Sequence, residues 1–347
     1  MAKRSSTLTG LEIEPSAVYV ASIAPGTQIS VQEAALAPLE PGVVRDGEVQ
    51  DPDALADVLR RLFEDHRNLD KRVRIGIANQ KIVVRMLEMP PIEDAKELAS
   101  AVRFAAQDEL PMPLDAAVLD HQILDIVETP QGLRQRVLVV AARRDMIERV
   151  LTAVRGAGLK PEGIDLAAFG MVRALHAQSD PRETVVYLAI GGLTNLAVAR
   201  GTACHFTRVI NDGIDDLAVE LSERRGMTLE GARAWLENVG LELPVEEHER
   251  YAAEGDLLED ARAVLADGVR RIAGEVRNTV DFHHAQGFGE GVARCVITGP
   301  AAAIRGFAAA MQAELSLPVE VGVVQVPPGM DGGSLSVAAG LATEVAA

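Results

Sequence analysis

The chain has 347 residues, of which 48% are hydrophobic, and a length above roughly 250–300 residues predicts more than one core unit. Its formal net charge of −17 disfavours direct binding to nucleic acid or to anionic lipid, because both of those surfaces are negative. The two cysteines give neither a disulfide framework nor the spacing of a zinc site. No apolar run reaches the ~18 residues that span a bilayer, and the basic N-terminus is not followed by the apolar segment of a secretory signal. We therefore predict a cytoplasmic protein without direct membrane insertion.

The first half of the chain alternates between strand and helix patterns. Strands are predicted at 9–23 (two strands around a turn), 29–39, 72–90 (two strands around Asn79-Gln80), 116–126 and 133–142, and helices at 51–66, 91–113, 144–158 and 165–177. In the first of these helices Asp51 can cap the N-terminus and Pro52 fits the first turn. Its apolar positions on one face are Leu55, Val58, Leu59 and Leu62.

The second half begins with a hairpin pattern and continues with helices and a buried strand. The predicted elements are a hairpin at 185–201, a strand at 205–211, a helix-rich stretch from 212 to about 286, a strand at 292–300, one helix directly after it, and two short final segments, the second with Ser334 as its cap.

An internal repeat relates the two halves. LEIEPSAVYVA (11–21) and LAIGGLTNLAV (188–198) both read as strand, short turn, strand, and each is followed by helices and further strands. A repeated β-meander with helices predicts two α/β lobes that face each other. We therefore expect a ligand cleft between the lobes, bordered by the two hairpins.

The second hairpin retains the residues that suit a phosphate-binding turn. Gly191 and Gly192 allow an anion to approach backbone N–H groups, and Thr194 and Asn195 follow them. A carboxylate that holds Mg²⁺ or orients water normally precedes such a turn, but Ala189 stands there. The turn therefore predicts an anion site without catalytic capacity.

The first hairpin departs further from a phosphate site. Glu12 keeps a carboxylate, but Glu14 stands where the repeat places Gly191, and its charge would cost roughly 1–4 kcal/mol at about 4 Å from a phosphate. Pro15 has no N–H to offer. A third turn contains Gly299, which permits close approach, and Pro300, which lacks a donor but also starts helices well. These departures predict that ATP is not hydrolysed; alternatively, the turns serve only as fold elements.

The adjacent histidines His283 and His284 lie in a predicted helix. Adjacent helical side chains point about 100° apart, which disfavours shared metal ligation, so we predict one packed and one solvated ring and no metal site. Cys204 and Cys295 are predicted to be buried apolar groups.

Several segments in a fixed order resemble the type IV pilus assembly protein PilM family, which is actin-like and related to FtsA. The segments are KELASAVRFAAQDELPMPLDAAVLDHQIL (96–124), VLVVAARRDMIERVLTAVRGAGLKPEGIDL (137–166), TRVINDGIDDLAVELSERRGMTLEGARAWL (207–236), EVRNTVDFHHA (275–285) and VITGPAAAIRGFAAAMQAELSLPVEV (296–321). The resemblance implies an α/β actin-like fold, a duplicated ribonuclease H-like arrangement of two lobes with an inserted subdomain 1C.

The resemblance also implies a domain organisation and a nucleotide cleft. Subdomain 1A would comprise 8–88 and 159–184, 1C 89–158, 2A 185–212 and 290–347, and 2B 213–289. The family places ATP and Mg²⁺ on D-I-G hairpins, and the equivalents of the cleft residues here are Glu12, Glu14, Ser16, Ala189, Gly191, Gly192, Thr194, Asn195 and Gly299. Glu14 replaces the glycine of the first D-I-G motif, and Ala189 replaces the acid of the second. The paired glycines of the adenosine turn become Gly299-Pro300.

The function implied by the resemblance is that of an adaptor. In the family the cytoplasmic N-terminal peptide of the inner-membrane protein PilN docks in the 1A–1C cleft and connects the protein indirectly to the pilus platform and its assembly ATPases. That role implies a cytoplasmic protein held at the inner membrane through its partner. The alternatives are an active actin-like ATPase or kinase, which the missing acid at Ala189 disfavours, and a filament-forming cell-division protein, which would need an amphipathic membrane helix at its C-terminus.

Overall fold

The computed structural model describes residues 8–24, 29–130, 132–178, 180–242, 255–285 and 291–343. The strands are β1 (Thr9–Ile13), β2 (Ala17–Ile23), β3 (Val31–Pro38), β4 (Val44–Arg45), β5 (Glu48–Val49), β6 (Arg72–Ile77), β7 (Val83–Met89), β8 (Ala117–Thr129), β9 (Gly132–Arg143), β10 (Lys160–Leu166), β11 (Thr184–Ile190), β12 (Thr194–Arg200), β13 (Ala203–Ile210), β14 (Val292–Thr298) and β15 (Val319–Val321). The helices are α1 (Pro52–Asp65), α2 (Ala95–Glu109), α3 (Arg144–Gly156), α4 (Ala167–Leu175), α5 (Ile214–Arg225), α6 (Leu229–Val239), α7 (Gly255–Ala285), α8 (Phe307–Leu315) and α9 (Ser336–Leu341).

Two five-stranded sheets share one topology. The first has the order β10-β6-β1-β2-β3 and the second β15-β14-β11-β12-β13. In each, a hairpin strand pairs antiparallel with the next strand in sequence and parallel with a later one, as β1 does with β2 and β6 and β11 does with β12 and β14. The predicted internal duplication is thereby confirmed. We call the first sheet with its helices lobe 1 and the second lobe 2.

Each lobe buries its sheet under helices. In lobe 1 the apolar faces of α1 and α3 pack with strands β1 and β6 in one core. In lobe 2 the helices α5, α6, α7 and α8 cover the sheet in a second core. Asp51 caps α1 by accepting from the N–H groups of Asp53 and Ala54, and Pro52 starts the helix, both as predicted.

A separate three-stranded sheet has the order β7-β9-β8, so β7 lies at one of its edges. The helix α2 packs on it through Leu98, Val102 and Ala106, which meet Val83 and Val137 among other side chains in a small core. The strands β6 and β7, predicted as neighbours in sequence, therefore belong to different sheets.

The lobes meet along α4 and α9, which pack against each other and against a core that draws residues from both sheets. Glycines permit this close approach. A Cβ atom built on Gly340 would lie 1.8 Å from the carbonyl oxygen of Gly170, and one built on Gly10 would lie 1.8 Å from that of Ala338. The last described helix is thus fitted directly against the first strand.

Two predicted helix details are wrong. The segment after Gly299 is not one helix but a 3-10 turn, Pro300–Ala303, followed by α8, because Ile304 is extended and Gly306 adopts φ 77°. Ser334 does not cap the last helix, since α9 begins at Ser336 and Ser334 instead bonds to Asp331. Within the helix-rich stretch predicted for 212–286, residues 243–254 and 286 lie outside the described residues.

Candidate functional site

The two predicted hairpin turns lie directly against each other between the lobes. The turn of lobe 1, Glu14–Ser16, connects β1 to β2, and the turn of lobe 2, Gly191–Leu193, connects β11 to β12. The carboxylate Oε2 of Glu14 accepts a hydrogen bond of 2.7 Å from the backbone N–H of Gly192. Glu14 is 6% exposed, so this contact is screened from solvent.

The close packing of the two turns leaves no room for a side chain at Gly191 or Gly192. A Cβ atom on Gly191 would lie 2.2 Å from Oε2 and 2.4 Å from Oε1 of Glu14. A Cβ atom on Gly192 would lie 2.5 Å from a carboxylate oxygen of Asp215 and 3.0 Å from Cδ of Pro15. The space beside these two glycines is therefore filled by side chains of this chain.

A second group of polar contacts joins the first turn to the helices α5 and α6 of lobe 2. The Ser16 hydroxyl donates to Oδ1 of Asp215 at 3.1 Å, and Nη2 of Arg233 donates to the Ser16 oxygen at 3.0 Å. Arg233 on α6 also forms an ion pair with Asp215, near the start of α5. Ser16 of lobe 1 is thus held by an acid and a base of lobe 2.

Two carboxyl groups are buried at this site. Burial raises the pKa of Glu14 to about 7, although the Gly192 N–H and Arg233 oppose the change. Burial, and secondly the charge of Glu14, raise the pKa of Glu12 well above its usual range. Burial and these two carboxylates also raise the pKa of Tyr19, which pairs with Glu12 across the hairpin. A site that disfavours two of its own anions also disfavours an added one.

The remaining predicted cleft residues of the second hairpin are buried or hydrogen-bonded within the chain. Ala189 is buried in the core between the lobes, and the Gly191 N–H donates to the Leu193 carbonyl. The Thr194 hydroxyl donates to the Asp212 carbonyl at 2.6 Å, and Asn195 is buried.

Gly299 supports the fold at the third turn. It adopts φ 87°, and a Cβ atom on it would lie 2.8 Å from the carbonyl oxygen of Ile190, so the turn sits tightly on the end of β11. Pro300 opens the following 3-10 turn, which is the helix-starting role weighed for it from the sequence.

These residues do not fit the triphosphate of ATP. Of the two N–H groups in the glycine pair, one is bonded to Leu193 and the other to Glu14. Phosphate oxygens placed there would meet the Glu14 carboxylate and the Pro15 ring, and no carboxylate stands at Ala189 to hold Mg²⁺.

A large cavity lies where the three-stranded sheet meets both lobes, and Asn195, one of the predicted cleft residues, is among its lining residues. Its volume is about 1110 Å³, which exceeds the usual range of roughly 300–1,000 Å³ for small-molecule sites. The lining comes from the end of β6 with β7, the end of α2, the start of α4, β13 and α7, and includes Ile77, Ile82, Val84, Met86, Leu166, Phe206, Val209 and Phe282. Arg85, Glu88, Glu109 and Arg208 add charges of both signs.

The adjacent histidines differ in environment, as predicted. His283 is buried and faces His205 edge-on with ring centroids 6.5 Å apart, and His284 is exposed. Burial lowers the pKa of His283, and His205 and His284 lower it further. The described part of the chain contains no group of three or more metal-ligating His, Cys, Asp or Glu side chains. Cys204 and Cys295 are buried and free, also as predicted.

The sequence profile of the family described as type IV pilus assembly protein PilM matches residues 10–334. The chain belongs to this family. A solved structure described as the PilM-PilN type IV pilus biogenesis complex is similar, with 26% sequence identity, a TM-score of 0.78 and 97% of each chain covered.

Actin-like structures confirm the fold class. The ethanolamine utilization protein EutJ from Carboxydothermus hydrogenoformans has 15% identity and a TM-score of 0.57, with 96% of this chain and 88% of that chain covered. MreB5 of Spiroplasma citri, solved with ADP, has 12% identity and a TM-score of 0.57, with 97% and 95% covered. At these identities the likeness concerns the fold alone. Among the residues with a described structure, we find no helix with the length and apolar content needed to cross a membrane.

Sequence reasoning missed the partners of the first turn. Asp215 and Arg233 lie in a stretch interpreted only as helix-rich, and they are brought together by two different helices. In the sequence, only Gly213 marks this contact. A Cβ atom at this position would lie 2.4 Å from the carbonyl oxygen of Gly191, so a glycine is needed where the start of α5 meets the second turn.

Proposed function

We propose that this protein is a non-catalytic scaffold of the type IV pilus assembly platform. It would bind the cytoplasmic N-terminal peptide of a PilN-like inner-membrane protein, and so connect indirectly to the pilus platform and its assembly ATPases. It would act in the cytoplasm, held peripherally at the inner membrane by that partner. Family membership and the likeness to the PilM-PilN complex support this role.

We propose the cavity beside β7 as the peptide site. It borders lobe 1 through Ile77 and Leu166 and the three-stranded unit through Val84 and Met86, which is the junction expected for a 1A–1C cleft. Among the described strands β7 pairs only with β9, and β13 of lobe 2 lies close to β7 without pairing with it, so we propose that an extended peptide pairs with this second edge of β7. Apolar side chains along a peptide strand would fill the cavity while its backbone pairs with β7.

The single observation that carries this proposal is a large cavity, lined by both apolar and polar side chains, beside an edge strand. We propose to test it by calorimetry with a synthetic N-terminal peptide of a PilN-like protein and the variant Met86→Glu. A carboxylate at this half-buried position would be desolvated by a bound apolar peptide, so we expect affinity to fall at least about tenfold.

A matched control is Phe104→Glu on α2. Phe104 is 77% exposed and is not among the residues that line the cavity, so the same charge change should leave peptide affinity unaltered. No binding by the unmodified protein at high peptide concentration would refute the scaffold proposal. Loss of binding in Phe104→Glu with normal binding in Met86→Glu would instead place the peptide on the outer face of α2.

The second candidate function is an active ATPase, which the fold shared with ADP-bound MreB5 keeps under consideration. The occupied glycine turn and Ala189 argue against it. We expect Mg·ATP to leave the melting temperature unchanged, because a ligand stabilises only a native state that binds it. A clear rise together with phosphate release would favour the ATPase.

We also propose the four-subdomain organisation of the family with two adjustments. The pairing of β7 with β9 supports assigning 83–89 to subdomain 1C rather than 1A. The packing of α3 in the core of lobe 1 supports assigning 144–156 to 1A. Limited proteolysis that releases a stable fragment covering 83–143 would support these boundaries.

A further inference from the structure

The contact between the two turns places a carboxyl oxygen of this chain on the backbone N–H of a glycine turn. A glycine turn with open N–H groups suits an anion, and carboxylates and phosphates offer the same kind of acceptor oxygen to it. We propose that the Glu14 carboxyl group is a tethered acceptor that takes the phosphate position of the Gly191–Gly192 turn and holds the two hairpin turns closed against each other without nucleotide.

The internal repeat makes the two turns complementary. Glu14 occupies in lobe 1 the position that Gly191 occupies in lobe 2, so one turn supplies the carboxylate and the other keeps the backbone free of side chains. The carboxylate lies directly over Gly191 and accepts from Gly192 at 2.7 Å. A single exchange of Gly for Glu in one repeat therefore both fills the site and supplies a contact between the lobes.

The surrounding contacts keep this carboxylate in place. The Ser16 hydroxyl, one residue beyond Pro15, is bonded to both Asp215 and Arg233 of lobe 2. Arg233 also lowers the free energy of the ionised Glu14 through its charge. The lobes are joined by a separate core along α4 and α9. The Glu14 contact is therefore not what joins the lobes; it closes the site between the two hairpin turns. The contact is independent of whether a peptide binds beside β7.

The first test measures the distance between the lobes by electron paramagnetic resonance. Spin labels at Arg61→Cys in α1 and Glu223→Cys in α5 report on the two lobes, because both positions are exposed and both native cysteines are buried. We expect Glu14→Ala to give a longer or broader distance distribution. Glu14→Gln keeps an acceptor oxygen and should match the unmodified protein, as should the exposed control Glu40→Ala.

The second test uses pyrophosphate as the probe. Once the carboxylate is removed, the Gly192 N–H is free, so Glu14→Ala should bind pyrophosphate at least about tenfold more tightly than the unmodified protein. Equal affinity of the two proteins would overturn the proposal, as would an unchanged lobe distance in Glu14→Ala.

A third variant covers the case in which Glu14→Ala does not fold. Gly191→Ala leaves Glu14 intact but places a Cβ atom 2.2 Å from its Oε2, so the carboxylate must leave the turn and the lobe distance should again increase. Gly191→Ala with an unchanged distance distribution and unchanged stability would overturn the proposal. Where both variants fold, the stability cost of Gly191→Ala should largely vanish in the Glu14→Ala background.

Discussion

Glu14→Gln should change how stability depends on pH. Gln keeps the shape and one acceptor oxygen for the Gly192 N–H but removes the ionisable group. In the folded protein the pKa of Glu14 is raised from 4.5 to about 7, mainly by burial. A carboxyl group whose folded-state pKa is raised contributes stability that is fully present below the unfolded pKa and is lost as the pH rises through the folded pKa.

The magnitude follows from the two pKa values. A difference of one pKa unit corresponds to about 1.4 kcal/mol, so the free energy of unfolding should fall by about 2–3 kcal/mol between pH 5 and pH 8 because of Glu14. Glu12 acts in the same direction, and loss of the Glu14 charge also relieves its repulsion on Glu12. Relative to the unmodified protein, Glu14→Gln should therefore gain stability as the pH rises.

Urea unfolding at pH 5, 6, 7 and 8 measures this directly. The difference in unfolding free energy between Glu14→Gln and the unmodified protein should increase across the series, with most of the change below about pH 7. The exposed control Glu40→Gln should show no such trend. A difference that stays constant from pH 5 to pH 8 would refute the reasoning, because it would mean that Glu14 is solvated or its charge fully compensated.

The remaining predictions concern the core, the helices and the thiols. Gly340→Ala should lower the unfolding free energy by roughly 1–3 kcal/mol or more in urea unfolding, since its Cβ would meet a backbone carbonyl of α4. Gly274→Ala in α7 meets nothing closer than 3.9 Å and should stabilise by about 0.5–1 kcal/mol; equal effects of the two variants would contradict the packing described. Asp51→Ala removes the cap of α1 and should cost about 1 kcal/mol by the same assay, and no loss would show that the cap contributes nothing. Cys204, whose pKa burial raises to about 12, and Cys295, whose pKa is also raised, should resist a thiol reagent at pH 8 until the protein is unfolded; rapid reaction of the native protein would contradict their burial.

The sequence predicted what depends on local chemistry and on repetition. Asp51 and Pro52 lie next to the helix they start, so the beginning of α1 could be recognised from a few residues. The similarity of 11–21 to 188–198 predicted two related sheets because two copies of one pattern fold under the same local rules. The break before α8 was also marked, by Gly306, but the alanine-rich run around it favoured a continuous helix.

The contact at the site could not be predicted because its partners are distant in sequence. The sequence predicts that Glu14 would repel a phosphate, but it gives no sign of the bond to the N–H of Gly192, which lies 178 residues away. The ion pair of Arg233 with Asp215 depends on the angle between α5 and α6, which no spacing within one helix encodes.

The position of α9 has a consequence for how the chain folds during synthesis. Its backbone lies against Gly10 of β1 and Gly170 of α4, so the first sheet lacks part of its cover until residues 336–341 have left the ribosome. An emerging N-terminal half would expose apolar surface until residues 336–341 have been synthesised. We therefore expect lobe 1 to complete its packing only after lobe 2 has been synthesised, although its strands emerge first.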